Sequence, residues 1–178
     1  MRYAAFMRGL NLGKRNVKMD DLKKIFVKLG FKNVESFIAS GNIVFETTAK
    51  ADAALEKKIA VALEKTLGYD VATFVRDFDE LGRVAKAMPF KGIVDAPTYL
   101  VGFLHAPLDT AGIKRLMTLA SKEDRFAVTG REVWWHSVIS QADSKFNANM
   151  FDKALGVTSS WRNLRTVRKM AAKWGATA

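Results

Sequence analysis

Apolar positions predict two kinds of element that alternate along the first half of the chain. Short apolar runs predict strands at 3–7, 34–40, 42–47 and 71–75. Over 19–29 and 55–67, apolar residues recur every three or four positions, the period of an amphipathic helix, and a glycine follows each segment. The element order is β-α-β-β-α-β, the split arrangement of a ferredoxin-like unit.

The second half repeats this order in part. A connecting helix over 78–88 leads to two prolines and a glycine within 89–97, where we place the boundary between subdomains. Further elements are predicted as a strand at 98–104, a helix at 110–120, a hairpin at 126–136 and a helix at 147–155. No apolar run marks a fourth strand, and a last helix takes its place.

The sequence therefore predicts an α+β fold with two tandem ferredoxin-like subdomains. The first spans 1–88 and includes the connecting helix. The second spans 97–178, is imperfect, and ends in an extra basic amphipathic helix, for which 158–160 supply capping oxygens. One face of that helix carries Leu164, Val167, Ala171 and Trp174. Because this face resembles a core contributor, deletion of 162–178 is expected to unfold the protein.

Composition indicates a folded protein of the cytoplasm. The 178 residues include 12 Phe and 4 Trp, enough to build a core. No apolar run reaches the length of about 18 residues that a membrane span needs, and the first residues follow a strand pattern instead of a signal peptide. The absence of cysteine excludes disulfides and fits a reducing compartment.

The net charge of +11 is concentrated at the two ends of the chain. Residues 1–19 contain five cations and no acid, and residues 144–178 contain seven cations and one acid. Between these segments, basic and acidic residues cancel. A local basic excess favours an anionic partner such as nucleic acid or a nucleotide, although solubilising surface charge explains it as well.

Two polar motifs are candidates for ligand binding. In the segment 8–16, two glycines permit positive φ angles, and Arg8, Lys14 and Arg15 supply cations for phosphate or carboxylate oxygens. An ordinary strand-to-helix connection is the alternative. Ser40-Gly41-Asn42 lies at the predicted hairpin, and a tight turn explains these residues equally well.

Other chemistry is not indicated. His105 and His136 have no ligands at metal spacing, so we predict neither a metal site nor a cofactor. Neither a nucleophile elbow nor a Walker loop is present. Acid pairs such as Glu123-Asp124 are interpreted as surface carboxylates, and Trp134-Trp135 as core residues. The question of enzymatic activity stays open.

Several motifs together resemble an uncharacterised bacterial family, domain of unknown function 1697. Arg8-Gly9-Leu10-Asn11-Leu12-Gly13, followed by Met19-Asp20-Asp21-Leu22, is similar to its R-G-I-N-V-G and M-x-x-L. The segment 37–45 is similar to its Y-I-Q-S-G-N-V-V-F. The resemblance implies a pair of ferredoxin-like subdomains and no particular activity.

The resemblance extends to the end of the chain. Residues 144–147, 155–157 and 162–167 are similar to the family's S-K-L-x-N, L-G-V and R-N-W-x-T-V. Leu164 stands where the family usually has Trp, so Trp161 is the alternative aromatic if that position serves a ligand. The recurring polar and glycine positions that the resemblance indicates are Arg8, Asn11, Gly13, Ser40, Gly41, Asn42, Arg162, Asn163 and Thr166.

The leading hypothesis is a module that binds nucleic acid or a phosphorylated small molecule. Its candidate residues are Arg8, Asn11, Gly13, Lys14, Arg15, Ser40, Gly41, Asn42, Arg162, Asn163, Arg165 and Thr166. One alternative is an enzyme that acts on an anionic substrate between the two halves. Another is a protein-interaction module that uses the last helix. The sequence does not establish the ligand, the oligomeric state, or whether the loop 8–16, the turn 40–42 and the start of the last helix at 162 converge.

Overall fold

The computed structural model describes residues 1–11, 13, 15–38, 41–93 and 95–175. Two compact units are present: Met1–Leu81 together with Trp174 and Gly175, and Gly82–Lys173. Each unit holds a four-stranded antiparallel sheet. This arrangement confirms the predicted α+β fold of two ferredoxin-like subdomains, while the proposed boundary at 89–97 stays a prediction.

The first unit contains the predicted β-α-β-β-α-β order. Its elements are β1 (Arg2–Met7), α1 (Met19–Lys28), β2 (Lys32–Ser36), β3 (Asn42–Glu46), α2 (Ala53–Leu67) and β4 (Thr73–Asp77), with α3 (Phe78–Lys86) directly after them. The strands lie in the order β2-β3-β1-β4. Helix α2 begins where the Asp52 carboxylate accepts a hydrogen bond from Leu55 N at 3.0 Å. It ends at Gly68, whose φ is +80°.

Both faces of the first sheet are buried at its central strand β1. Tyr3 and Phe45 belong to the core beneath α1 and α2, where the Phe31 and Phe45 rings stack at 4.6 Å. On the opposite face, Ala4 and Phe6 are also fully buried. Strand β1 is therefore an uninterrupted apolar run instead of an alternation of apolar and polar residues.

A buried charged pair covers the edge of the same sheet. Strand β4 lies at the sheet edge, and the Glu56 carboxylate of α2 accepts a hydrogen bond from Val75 N at 2.8 Å. The Arg76 guanidinium lies 3.6 Å from that carboxylate and donates to Val75 O at 2.8 Å. The two charges thus compensate each other and occupy polar backbone atoms of the edge strand.

The second unit follows the same plan with a shorter last strand. Its elements are β5 (Thr98–Phe103), α4 (Thr110–Met117), β6 (Asp124–Thr129), β7 (Glu132–Ser137), α5 (Ala148–Leu155) and β8 (Ser160–Asn163), followed by α6 (Leu164–Trp174). The strand order is β6-β7-β5-β8. The Asp109 and Asn147 side chains cap α4 and α5, accepting from Gly112 N and Met150 N.

The sequence did not predict strand β8. It pairs antiparallel with β5, so that Val101 lies opposite Arg162. Arg162 therefore belongs to a strand, and the last helix begins two residues later than predicted. Its cap is also not at 158–160, because Asn163 Oδ1 accepts a hydrogen bond from Arg165 N at 2.9 Å. With only four residues, β8 makes the repeat complete but imperfect.

Trp134 and Trp135 are both buried, which confirms their predicted place in the core. Trp135 lies in the cluster that α4 and α5 cover, with its ring 4.6 Å from Phe146. Trp161 belongs to the same region and packs across β5 at Gly102. A Cβ added to Gly102 would lie 2.8 Å from the Trp161 ring. The absence of a side chain at this position lets the indole lie on the strand.

We therefore expect Gly102→Ala to lower the free energy of unfolding by about 1–3 kcal/mol, because the backbone or the indole must move. Gly82 is the matched control. It lies within α3, where an added Cβ meets nothing within 4 Å. Gly82→Ala should raise stability by about 0.5–1 kcal/mol. Urea denaturation followed by circular dichroism measures both changes, and equal effects of the two substitutions would contradict this account.

Helix α6 contributes to the core, as its apolar face predicted. Leu164, Val167 and Met170 are buried. The Trp174 ring lies 5.3 Å from Phe37, and its Nε1 donates to Glu35 Oε1 at 3.2 Å. These contacts indicate that the helix is part of the folded structure and not an appended tail.

Deletion of 162–178 should therefore abolish cooperative unfolding, since it also removes half of β8. A smaller change tests the same contacts: Trp174→Ala should cost about 3–5 kcal/mol. Lys169 is exposed on the same helix, and Lys169→Ala should stay within about 0.5 kcal/mol of the wild type. Thermal and urea unfolding measure these differences. A stable truncated protein would contradict the role assigned to α6.

Candidate functional site

Two of the predicted motifs lie side by side in the first unit. We call residues 8–16 the glycine loop and residues 37–42 the hairpin turn. Met7 N, directly before the loop, donates a hydrogen bond to Gly41 O at 3.0 Å. Gly41 also lies so close to Leu10 that an added Cβ would approach Leu10 Cδ1 to 2.7 Å. The loop and the turn are therefore fixed against each other.

Two described residues of the hairpin turn have positive φ angles. Gly41 has a φ of +74°, a conformation that glycine adopts without steric cost. Ile38 also has a positive φ, +57°, and is 53% exposed. Such an angle is unfavourable for a β-branched residue, so the turn holds local strain at this position. Ser40 lies outside the described residues.

Two arginines of the glycine loop differ in their surroundings. Arg8 is half-buried, and burial lowers the pKa of its guanidinium. Arg15 is exposed, and its guanidinium carbon lies 3.9 Å from the centre of the Tyr69 ring. The Tyr69 hydroxyl in turn donates to Leu10 O at 2.9 Å. The described loop thus carries two cations, one of which lies over the Tyr69 ring, while Lys14 lies outside the described residues.

The N-terminus of α1 does not add to this positive potential. Its first turn carries Asp20 and Asp21, whose carboxylates pair with Lys23 and Lys24 at 2.8 and 2.9 Å. The hydrogen bond from Lys23 lowers the pKa of Asp20. Carboxylates already occupy the end of the helix dipole, so any anion at the loop must rely on the arginines and on backbone groups.

Two polar candidates of the first unit have structural roles. Asn11 Oδ1 accepts a hydrogen bond from Val17 N at 2.9 Å, which closes the glycine loop. Asn42 is fully buried, and its Nδ2 donates to Phe37 O at 2.9 Å across the hairpin turn. Gly13 has a φ of +64° and open space around it, so its backbone angle explains the glycine. Asn11, Gly13 and Asn42 shape the site without any need for a ligand.

The remaining candidates lie in the second unit. Arg162 donates from Nη1 to Ser160 Oγ and Trp161 O, both at 2.9 Å, and burial lowers its pKa to about 10. Asn163 caps α6, and the exposed Arg165 pairs with Asp95. Thr166 is half-buried. A single site that combines these residues with the glycine loop stays a prediction.

Trp161, which the sequence offers in place of the aromatic residue expected at position 164, has a packing role. Its ring lies 5.1 Å from Phe151 in an edge-on arrangement, and its Nε1 donates to Ser159 Oγ at 2.8 Å. Leu164, which stands where the resemblance leads us to expect Trp, is buried. Both residues therefore have core roles in the described structure.

Hydrogen bonds to a buried carboxylate give the segment 144–147 a structural role. Asp124 is 4% exposed, which corrects its interpretation as a surface residue. Trp135 Nε1 donates to it at 2.8 Å and Ser144 Oγ at 3.0 Å. Burial acts to raise the pKa of Asp124, but side-chain hydrogen bonds from Trp135, Ser137, Ser144 and Ser121 outweigh it and lower the pKa. This carboxylate fastens the segment before α5 to the sheet.

Ser144→Ala should lower the free energy of unfolding by about 1.5–3 kcal/mol, because it removes a buried hydrogen bond to a charged group. Ser140, which bonds to Asp143 at the surface, is the control, and Ser140→Ala should cost less than about 0.5 kcal/mol. The Ser144 contribution is full above about pH 4 and is lost as the pH falls through the lowered pKa of Asp124. Urea titrations at several pH values test this dependence.

Comparison with known proteins places the chain in a family. The fold and site described above define the class, an α+β protein with two ferredoxin-like subdomains and a basic glycine loop. The family model described as "Protein of unknown function (DUF1697)" matches residues 1–134. The chain belongs to this family, which confirms the resemblance. Both the glycine loop and the hairpin turn lie within the matched segment.

A solved structure supports the fold. The chain is similar to the conserved bacterial protein SP0830 from Streptococcus pneumoniae, with a TM-score of 0.77 and 23% sequence identity over 98% of each chain. At this identity the similarity concerns the fold alone. A search of curated proteins found no significant match. In the part of the chain that the structure describes, no helix is long and apolar enough to cross a membrane.

Proposed function

We propose that the protein binds a phosphate-bearing ligand, nucleic acid or a nucleotide, in the cytoplasm, through the glycine loop and the adjacent hairpin turn. The observation that carries this proposal is the hydrogen bond between Met7 N and Gly41 O at 3.0 Å. It joins the turn to the start of the glycine loop, which supplies the half-buried Arg8 and, over the Tyr69 ring, Arg15.

The charge of this surface supports an anionic ligand. Residues 1–19 contain five basic and no acidic side chains, of which Arg2 pairs with Glu46 at the other end of β1. The next two acids, Asp20 and Asp21, are paired with lysines of their own helix. Their negative charge is thereby partly compensated. A phosphate at the glycine loop would meet an excess of cations.

The arginines are suited to phosphate in two different ways. Arg15 lies over the Tyr69 ring, which restricts its side chain, so less conformational entropy is lost when it binds an oxyanion. Arg8 is half-buried, and burial lowers the pKa of its guanidinium. An ion pair between a half-buried guanidinium and an oxyanion is stronger than one in bulk water, because ion pairs strengthen as solvent is removed.

The expected binding is to the phosphates and not to the bases. The aromatic side chains of the first core, such as Phe26, Phe31 and Phe45, are buried beneath the helices and offer no stacking platform. Contacts to phosphates alone give affinity that varies strongly with salt and little with sequence. Helix α6 does not favour the alternative of a protein-docking helix, since its apolar face is buried.

Binding should be measured by fluorescence anisotropy with a labelled oligodeoxythymidine over a range of salt concentrations. Affinity should fall steeply with ionic strength. The double variant Arg8→Gln/Arg15→Gln should lower the slope of log K against log salt by about 1.4, the value for two lost phosphate contacts on a single strand. A competition experiment with ATP distinguishes a nucleotide site from an extended nucleic-acid surface.

The control is Lys57→Gln/Lys65→Gln, which removes the same charge from exposed positions of α2. This variant should keep the wild-type slope. If both double variants change the slope equally, binding depends on net charge and the proposal fails. Absence of oligonucleotide and ATP binding at low salt would also refute it.

A further inference from the structure

The second unit contains a cavity that the preceding proposal does not use. Its volume is about 320 Å³, within the range of small-ligand sites. Residues of the loop before β5, including Ile93, Asp95 and Pro97, form one side. Arg125 of β6 and His136 of β7 form another side. The cavity is thus lined by an apolar loop and a few ionisable groups.

His136 has hydrogen-bonding capacity that the protein leaves unused. Its side chain is 97% buried, since only 3% of its surface is exposed, and Nδ1 has no hydrogen-bond partner among the described residues. The Phe90 and Tyr99 rings lie 5.4 and 5.9 Å from the imidazole. The buried Tyr99 hydroxyl also has no partner in the described structure. Buried polar groups without partners are rare and are concentrated at sites with a function.

Arg125 stands next to this imidazole. The two residues are directly opposite each other on β6 and β7, so their side chains lie on the same face of the sheet. Burial and then the charge of Arg125 lower the pKa of His136. The ring is therefore neutral at pH 7, with one nitrogen as donor and the other as acceptor. Arg125 is exposed and forms no ion pair with any residue that the structure describes.

Among the described residues of the cavity wall, the one carboxylate is already paired with an arginine. Asp95 pairs with Arg165, whose Nε lies 3.2 Å from Oδ1, and accepts a further hydrogen bond from Ala96 N at 2.9 Å. The hydrogen bond from Arg165 lowers the pKa of Asp95. The net charge of the wall is consequently set by Arg125, and the wall is positive.

We infer that this cavity binds a small organic oxyanion with a neighbouring hydroxyl group, with the oxyanion on Arg125 and the hydroxyl on the His136 ring. A guanidinium can donate two parallel hydrogen bonds either to a carboxylate or to a phosphate, so Arg125 suits both kinds of oxyanion. A hydroxyl group both donates and accepts, so it suits the imidazole in either neutral tautomer. The site lies entirely within the second unit and does not depend on the function proposed for the glycine loop.

Histidine NMR tests this inference directly. The chain has two histidines, so the ring nitrogens of the ¹⁵N-labelled protein give two sets of signals, and the exposed His105 serves as an internal reference. Glycolate, glycerol phosphate and acetate are titrated in turn. Glycolate and glycerol phosphate should shift the His136 signals saturably. Acetate, which has no hydroxyl, should bind about tenfold more weakly than glycolate.

Arg125→Gln should weaken glycolate and glycerol phosphate about tenfold without unfolding the protein, because Arg125 is exposed. Arg115→Gln removes an exposed charge from α4 and should leave both affinities unchanged. Tighter binding of glycerol phosphate than of glycolate assigns the site to phosphate esters, and the reverse assigns it to hydroxycarboxylates. The inference is overturned if neither ligand shifts His136, if His105 shifts equally, or if Arg125→Gln binds as the wild type.

Discussion

Burial of both faces of the central strands is the constraint on which the rest of the structure depends. Residues 3–7 of β1 and all residues of β5 are buried. Antiparallel sheets commonly leave one face in water, with polar side chains along it. Here the central strands have no such face. Within each sheet, a side chain that must meet a ligand can therefore lie only at strand ends, in turns, or on outer strands.

Both proposed sites follow this rule. The site of the second unit also differs in its hydrogen bonding from the buried polar residues of the interior. The glycine loop begins where β1 ends, and the cavity of the second unit adjoins the outer strand β6 and the end of β7. Within the interior, Asp124 and Asn42 each meet their hydrogen-bonding needs inside the protein. Their polarity therefore specifies the fold. His136 Nδ1 has no hydrogen-bond partner among the described residues, and His136 also lines the cavity, so it is the buried polar residue to which we assign a ligand.

Much of the fold was predictable because apolar runs and glycines are local signals. Strand β8 was not, since Ser160-Trp161-Arg162-Asn163 has no apolar run, and the strand exists because it pairs with β5. The burial of Asp124 was equally hidden, because Trp135 and Ser144 lie 11 and 20 residues further along the chain. In the candidate site, a sequence does not distinguish an asparagine that stabilises a turn or helix cap from one that binds a ligand. The hydrogen bonds of Asn11 and Asn163 in the structure assign both residues to the first role.

The buried Glu56 has a consequence for contacts between chains. Its carboxylate occupies Val75 N, one of the backbone donors that β4 would otherwise offer to a strand from a neighbouring molecule. At the opposite edge of the sheet, the pairing of β2 with β3 is interrupted by a bulge between Lys32 and Glu35. Each edge of the first sheet therefore carries a feature that hinders strand addition. This should oppose β-mediated self-association in a protein whose central strands are themselves strongly apolar.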